Sequence, residues 1–170
     1  FAMAGFNDTD GNGILNDPET GEDMEPLIFY VVDEFHRVIA ARMVADELQS
    51  LGIPVDLRIE DYEEYYRAVM LNYDFHMSLG GMYGYDLFPI YHSSCIYPSG
   101  PNYCGVRNET LDSYLQLAHY SFSDREARYG IIESQRSLIS QAVSIPIYIL
   151  TWISPVNVRL RNYVNMYGWG

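Results

Sequence analysis

Lysine is absent from this chain of 170 residues, so its ten basic side chains are all arginines. Against them stand 23 Asp and Glu residues, which give a formal net charge of −13 at neutral pH. Binding to phosphate backbones or to anionic lipid headgroups requires a basic face. The charge balance therefore argues against nucleic acid and against an anionic membrane surface as partners.

Long apolar runs are also missing, since none approaches the ~18 residues that a membrane-spanning helix needs. Apolar residues still make up 48% of the chain, enough for one core at this length, so we expect a single domain over residues 1–170. No signal peptide is recognisable, and the chain begins without an initiator Met, in what resembles the last turn of a helix. We expect it to be a piece of a longer protein.

Cysteine is scarce as well, with only Cys95 and Cys104, which flank the segment IYPSGPNY. In a secreted chain this spacing allows a small disulfide-closed loop, whereas in a cytosolic chain it means two thiols. A zinc site that also used His92 would lack a fourth ligand at a standard spacing. The spacing alone leaves the first two alternatives open.

The most specific chemical pattern in the chain is DTDGNGILNDPE, which fits the calcium-loop consensus D-x-[DN]-x-[DN]-G-x5-E. Calcium prefers about six to eight oxygen ligands. The pattern predicts one structural calcium ion, with a water held near Asn16 and protein ligands from Asp8, Asp10, Asn12, the Ile14 carbonyl and Glu19. Leu15 is expected to anchor the loop inward. The alternative is an ion-free acidic loop, because Asp, Asn and Gly cluster in turns for their own reasons.

Strand and helix patterns alternate after this loop. Periodicity and capping residues predict a buried strand over 27–32, a helix over 34–51 capped by Asp33, a strand over 55–60, a helix over 62–72 started by Asp61, and a strand over 75–80. A β-α-β-α-β order with short connections predicts right-handed crossovers and a parallel sheet. The fold class is therefore α/β, and ligands bind such sheets at the carboxyl ends of the strands.

A Tyr-, Gly- and Pro-rich stretch over 81–107 follows, and stretches of this length in compact domains are usually functional or disordered. Beyond it, the patterns predict helices over 108–121 and 123–143, then strands over 145–152 and 156–160.

No enzyme motif is present, since G-x-S-x-G and H-E-x-x-H are both missing. The histidines fall on or beside predicted elements, where we expect packing or surface roles: His36, His76, His92 and His119. The sequence motifs therefore do not favour an enzyme. A calcium-stapled extracellular interaction or adhesion module is the alternative function, although the parallel-sheet order argues against all-β adhesion folds.

The order of elements and several strings resemble family 5 extracellular solute-binding proteins, the peptide and nickel receptors of ABC importers. The resembling strings cover nearly the whole chain: AGFNDTDGNGILNDPETGE, LQSLGIPVDLRIEDYEEYY, YDFHMSLGGMYGYD, NYCGVRNETLDSYLQLA and SIPIYILTWISPVNVRLRNYV. The most specific match runs from Asn102 to Asp112 and resembles the family segment N-x-x-G-[YF]-x-N-P-E-[VL]-D. Val106 and Thr110 depart from it.

The resemblance implies a type II periplasmic-binding-protein-like lobe without catalysis. It implies that the chain is most of the second lobe of a two-lobed receptor whose first lobe is absent. Such receptors close over a ligand and dock on ABC permease subunits, so the resemblance also implies an extracytoplasmic location and membrane tethering in the full-length protein. A peptide or similar small solute is the expected ligand, and nickel chelates, oligosaccharides and opines stay open. Self-association of the isolated chain is a further expectation.

The turn GMYGYD at residues 81–86 corresponds to the family's cleft-lining G-W-x-x-D-Y turn, although the Trp is missing and the acid is displaced by about one residue. The resemblance implies that Met82, Tyr83, Tyr85 and Asp86 line the ligand cleft, with Asp86 available to a ligand ammonium group. The alternative for Asp86 is a solvated turn carboxylate. The extracytoplasmic class also implies a disulfide between Cys95 and Cys104.

Overall fold

The computed structural model describes residues 2–81, 86–148 and 159. The chain divides into two compact units, residues 1–82 and residues 83–170. None of the helices in the described ranges is long and apolar enough to cross a lipid bilayer.

The first unit is built on a three-stranded sheet of β1 (Leu27–Val32), β2 (Val55–Glu60) and β3 (Met77–Leu79), in the order β2-β1-β3. Both neighbouring pairs run parallel, which confirms the predicted sheet. β1 lies in the centre, and its last four residues are buried. A central strand buried on both faces is the reason its sequence, LIFYVV, is continuously apolar.

β3 is shorter than predicted because a side chain replaces part of its ladder. The Ile28 N–H donates to Nδ1 of His76 over 2.9 Å, while the His76 N–H donates to the Ile28 carbonyl over 3.0 Å. The imidazole therefore occupies the place of a backbone acceptor just before the strand.

Helices cover both faces of β1. α1 (Phe35–Ser50) packs buried Ala41 and Ala45 against the side of β1 that carries Phe29 and Val31. Its N-cap is Glu34, without a side-chain capping bond, so the predicted capping role of Asp33 is wrong.

On the other face lies α2 (Tyr62–Tyr65), which continues as a π-helical segment, Tyr66–Leu71. Asp61 caps α2 as predicted, since its Oδ1 accepts the Glu64 N–H over 2.9 Å. This helix and β1 form one apolar cluster: Tyr30, Val32, Tyr65, Ala68 and Val69.

The second unit is helical in its described part. α3 (Phe88–Tyr91) and a 3₁₀ turn (Ser93–Cys95) lie within the stretch that the sequence left as a long loop. α4 (Glu109–Tyr120) and α5 (Asp124–Ser140) follow, close to their predicted bounds. These helices share a core of four buried residues: Tyr91, Leu111, Leu115 and Leu138.

Gly130 sets the close approach of α4 and α5, because a Cβ at this position would lie 2.5 Å from the backbone nitrogen of Ala118. The strand predicted over 145–152 is wrong for residues 145–148, which the structure describes as irregular. The rest of that range, and 156–160 apart from Arg159, lie outside the described residues.

Candidate functional site

Among the predicted ligand-contact residues, Met82, Tyr83 and Tyr85 lie outside the residues that the structure describes, and Asp86 is described. Asp86 follows β3 and precedes α3, and its side chain is 50% exposed. Its Oδ1 accepts the Phe88 N–H over 3.0 Å, and its Oδ2 lies 2.8 Å from Nδ1 of His119. The carboxylate is thus anchored at both oxygens while half of its surface faces solvent.

Four rings pack together, including that of His119, the partner of this carboxylate, and we call them the aromatic cluster: Phe88, His92, His119 and Tyr120. Phe88 stacks on the ring of His92 at 4.3 Å between centroids and on the ring of His119 at 4.7 Å. Tyr120 makes T-shaped contacts with Phe88 at 5.4 Å and with His119 at 4.5 Å between ring centroids. Offset and edge contacts of this kind are the arrangements that aromatic rings favour.

The cluster borders a shallow depression of about 650 Å³ at the turn between α4 and α5. Tyr120 belongs to both, and Phe122 projects fully exposed from the same turn. Gln116 and Glu126 contribute polar groups to its wall. Five of its eight lining residues are polar, so this depression differs from the concave and mostly apolar sites that usually bind small molecules.

The family-like segment from Asn102 to Asp112 has a structural role next to the aromatic cluster. Asn102 is fully buried, and its Nδ2 donates to the carbonyls of His92 over 3.1 Å and Val106 over 3.2 Å. Gly105 has a positive φ of 63°, a conformation that glycine adopts without strain. Each of these two residues thus has a structural reason for its place in the motif.

The second half of the segment starts α4 and ties it to the 3₁₀ turn. Oδ1 of Asn108 accepts the Thr110 and Leu111 N–H groups, which is the N-cap geometry. The Asp112 carboxylate accepts both the N–H and the hydroxyl of Ser93. These bonds hold the chain that leads from α3 into α4.

Cys95 and Cys104 are free thiols in this structure. This differs from the disulfide that the resemblance implies. The 3₁₀ turn that contains Cys95 is instead held by backbone bonds, among them Asn102 N–H to the Cys95 carbonyl over 2.8 Å. Order in this segment therefore does not require a covalent link between the two sulfur atoms.

The predicted calcium loop centres on the Asp8 carboxylate in the first unit. Its Oδ1 accepts the Gly11 N–H over 2.7 Å, and its Oδ2 accepts the Gly13 N–H over 2.9 Å. Bonds from Gly13 first, and then from Gly11, hold the pKa of Asp8 below its ordinary value because they favour the charged form. A carboxylate has about four acceptor positions, so two stay available to a cation.

Asn12 lies between two carboxylates. Its Nδ2 donates to Asp10 over 3.2 Å and to Asp23 over 2.9 Å, while its Oδ1 accepts the Ile14 N–H over 2.7 Å. Asp23 lies beyond the twelve-residue pattern, so the pattern does not predict its part in the loop. Its contacts with Asn12 and Asn16 place it there.

Asn16 is the polar centre of the loop, with 5% of its surface exposed. Its Oδ1 accepts both the N–H and the hydroxyl of Thr9, and its Nδ2 donates to Asp23 over 3.0 Å. The side chain is therefore directed into the protein and not toward the water that the pattern predicts at this position.

Leu15 is half-buried and contacts the turn after α1. Its N–H donates to the Gly52 carbonyl over 2.8 Å, and a Cβ at Gly52 would meet the Leu15 side chain at 3.2 Å. Glu19 is exposed, and its own N–H donates to Asp17 over 2.7 Å. Within the described ranges, no three His, Cys, Asp or Glu side chains gather into a group able to hold a metal ion.

No family model and no curated protein matches the chain. Solved structures do. One is the oligopeptide-binding protein AppA from Bacillus subtilis in complex with a nonapeptide, with 23% identity, a TM-score of 0.70, and coverage of 84% of this chain and 28% of AppA. Another is a mannohexaose-bound periplasmic oligopeptide-binding protein of an ABC transporter from Thermotoga maritima, with 19% identity, a TM-score of 0.69, and coverage of 84% and 28%.

A third similar structure is NikZ from Campylobacter jejuni in complex with Ni(L-His), with 15% identity, a TM-score of 0.66, and coverage of 81% of this chain and 28% of NikZ. The chain spans 28% of the length of each of these proteins. At such identities the likeness shows the fold: the chain has the α/β architecture of part of an oligopeptide- or nickel-type periplasmic binding protein. The three bound ligands are chemically unrelated, so the fold does not choose among ligand classes.

Proposed function

We propose that the chain is a ligand-binding lobe of a family 5 solute-binding protein that serves an ABC importer outside the cytoplasm. The observation that carries this proposal is the fold, which matches such proteins over 84% of the chain with TM-scores near 0.7. The resemblance of the segment from Asn102 to Asp112 to the family motif supports it as well, and residues of this motif bond to Ser93 and to the His92 carbonyl just after α3. In this function the lobe delivers its ligand to permease subunits, with the full-length receptor tethered to the membrane.

The ligand-contact residues in this proposal are Met82, Tyr83, Tyr85 and Asp86. They follow the carboxyl end of β3, the end at which parallel sheets bind ligands. The anchored and half-exposed carboxylate of Asp86 supports a contact with a cationic group, because two of its acceptor positions remain open. The ligand class is a peptide or a similar small solute that carries an ammonium group.

Titration calorimetry on the intact receptor with a tripeptide pool tests this assignment. Tyr83→Ala and Asp86→Ala are each expected to weaken binding by about 1 to 3 kcal/mol, the size of one lost contact, without unfolding the protein. Asp46→Ala is the matched control, since Asp46 is exposed near the carboxyl end of α1, toward the opposite end of the sheet. Unchanged affinity in both test variants would overturn the cleft assignment.

We also propose that the acidic loop binds one calcium ion through Asp8, Asp10, Asn12, the Ile14 carbonyl, Glu19 and water. Support comes from the spacing of these residues and from the geometry of Asp8, which keeps acceptor positions open while the backbone fixes it. In this proposal Asn12 turns its amide oxygen toward the ion, in place of its present bond to Ile14. The ion would pin the loop to the turn after α1 through Leu15.

Thermal melts with excess calcium and with a chelator test the metal proposal. Calcium at a hundredfold excess over its dissociation constant stabilises the folded state by about 2.7 kcal/mol, which corresponds to several degrees in melting temperature. Asp8→Asn should lose this shift, and Asp46→Asn should keep it. Equal melting temperatures of the unmodified chain in the two buffers would contradict calcium binding.

A further inference from the structure

We infer that His119 is a positioning residue for the Asp86 carboxylate, and that its protonation state sets how strongly that carboxylate attracts a cationic ligand group. This inference rests on the proposed role of Asp86 in ligand binding. It adds a residue that neither the calcium loop nor the family-like segment contains. The sequence patterns predict only a packing or surface role for His119.

The contact between the two side chains is direct. Nδ1 of His119 lies 2.8 Å from Oδ2 of Asp86, although the two residues are far apart along the chain. The other oxygen, Oδ1, accepts the Phe88 N–H over 3.0 Å. Two donors on different elements thus fix the plane of the carboxylate, and loss of the imidazole would leave it on a single backbone bond.

The imidazole is itself held in place by its neighbours. Phe88 stacks on it at 4.7 Å with an angle of 24° between planes, and Tyr120 contacts it in a T-shaped arrangement at 4.5 Å. A ring that packs against two other rings has few alternative rotamers. His119 is therefore a rigid support for Asp86, whereas a long flexible side chain would lose entropy on making the same contact.

Protonation changes the charge that this pair presents. The neutral ring donates from Nδ1 and leaves Asp86 with its full negative charge, whereas the imidazolium form makes the pair neutral overall. A ligand ammonium group meets an anion in the first case and a neutralised ion pair in the second. The His119 side chain is 35% exposed, so protons reach it from solvent.

Other titratable groups around His119 are few in the described part of the second unit. Asp86 bonds to it and Tyr120 meets it edge-on. His92 lies across the ring of Phe88, where its Nδ1 accepts the Ser94 N–H. Glu126 on α5 bonds to Ser121, just after the end of α4. Asp86 is the only carboxylate among them in direct contact with the imidazole, so it is the group that protonation of His119 affects first.

The first experiment needs no ligand. Imidazole ¹⁵N spectra of the full chain at about pH 8, where histidine is ordinarily neutral, report which ring nitrogen carries the proton. The Nδ1–H form is expected for His119, and Asp86→Asn is expected to shift its signals toward the Nε2–H form. Signals that already show Nε2–H in the unmodified chain, or that do not move in Asp86→Asn, would overturn the positioning role.

The second experiment measures binding of trialanine and N-acetyl-trialanine to the intact receptor by calorimetry, at about pH 7 and about pH 5, because the amino group of trialanine, with an ordinary pKa of about 8, stays mostly protonated at both. The free amine should bind more tightly at the higher pH, and the acetylated peptide should show no such preference. His119→Ala should weaken trialanine binding about tenfold, the equivalent of one lost hydrogen bond. His119→Asn keeps a donor near the Nδ1 position and cannot take up a proton, so it should restore most of the affinity and abolish the pH dependence.

The outcomes separate this inference from the function on which it rests. If Asp86→Ala leaves trialanine affinity unchanged, or if trialanine does not bind, the ligand-contact role of Asp86 is overturned, and the inference with it. If Asp86→Ala weakens binding but His119→Ala does not, only the positioning role of His119 fails. Melting curves of each variant identify any loss of affinity that comes from unfolding. If His119→Ala is unfolded, the affinity and pH dependence of His119→Asn test the positioning role.

Discussion

The acidic loop at residues 7–23 and the segment at residues 86–120 are both rich in polar contacts, but the contacts differ in reach. Described side-chain hydrogen bonds within the loop join residues at most 11 apart, as between Asn12 and Asp23. In the segment, Asp112 bonds to Ser93 across 19 residues, and Gln116 meets His92 across 24. The loop is thus held by bonds between residues close in sequence, and the segment also by bonds between residues far apart in sequence.

This difference determines what a single substitution removes. An exposed loop residue that loses a neighbour keeps water as an alternative partner, so the cost is small. A buried residue that ties remote parts of the chain leaves its partners unsatisfied and releases two stretches of backbone at once. Variants in the segment are therefore expected to destabilise the protein more than matched variants in the loop.

Asn102→Ala gives the largest expected effect. Asn102 is fully buried, and its side-chain amide donates hydrogen bonds to the carbonyls of both His92 and Val106. We expect the free energy of unfolding to fall by about 2 to 4 kcal/mol, since each buried group left without its partner costs about 1 to 3 kcal/mol. Denaturant unfolding followed by circular dichroism measures the change.

Asn12→Ala is the matched control in the loop, measured in the presence of a chelator so that any bound cation is absent. Asn12 is exposed, and water can replace its side chain as a partner of Asp10 and Asp23, so its loss is expected to cost less than about 1 kcal/mol. The bonds of Asn102 span 10 and 4 residues, no more than the 11 of the bond between Asn12 and Asp23, so this pair of variants tests burial. If the two alanine variants cost the same, burial of the Asn102 amide does not determine the cost.

Asp112→Ala comes next, with an expected cost of about 1 to 2 kcal/mol, because a half-buried carboxylate loses both of its bonds to Ser93. Ser93→Ala removes only the hydroxyl and should cost less. The double variant should cost little more than Asp112→Ala alone, because the two residues form one unit. Additive costs would show that the Ser93 hydroxyl acts independently of Asp112.

The same distinction explains what the sequence predicted. The parallel sheet, α1, α4 and α5 follow from periodicity over neighbouring residues, and Leu27–Val32 and Val55–Glu60 have their predicted bounds. α3 was missed because Phe88–Tyr91 is too short for periodicity and begins with a Phe-Pro pair in an aromatic stretch. No local pattern could reveal that His76 would shorten β3 by bonding to Ile28.

The candidate site shows the same limit. Asp86 was found through its place in a family-like turn, but its partner His119 could not be, since the two meet only in the folded chain. Asp23 was likewise missed because it lies outside the calcium-loop pattern. Charged residues that follow a recognised motif by a few positions are the one signal that could have identified Asp23.

A smaller effect is expected at the helix caps. Asn108→Ala should cost about 1 kcal/mol, because its side chain accepts two N–H groups of the first turn of α4. Ser123 occupies the same position at α5 but makes no side-chain capping bond, so Ser123→Ala should change the unfolding free energy by less than about 0.5 kcal/mol. Equal costs at the two caps would mean that α4 gains nothing from the Asn108 bonds.

The smallest expected effect is a pH dependence at Asp8. Bonds from the Gly13 and Gly11 N–H groups lower its pKa in the folded state, so Asp8 binds its proton more weakly there than in the unfolded chain. The Asp8 carboxylate therefore contributes fully to stability at pH values above its unfolded-state pKa of about 3.9, and this contribution is lost as the pH falls through its lower folded-state pKa.

Asp8→Asn does not titrate, so its melting temperature, measured with a chelator, should fall less between about pH 5 and pH 2 than that of the unmodified chain. Asp46 has no side-chain bond among the described residues, so Asp46→Asn should follow the unmodified profile. A profile of Asp8→Asn that also follows it would show that the loop backbone does not stabilise the Asp8 carboxylate.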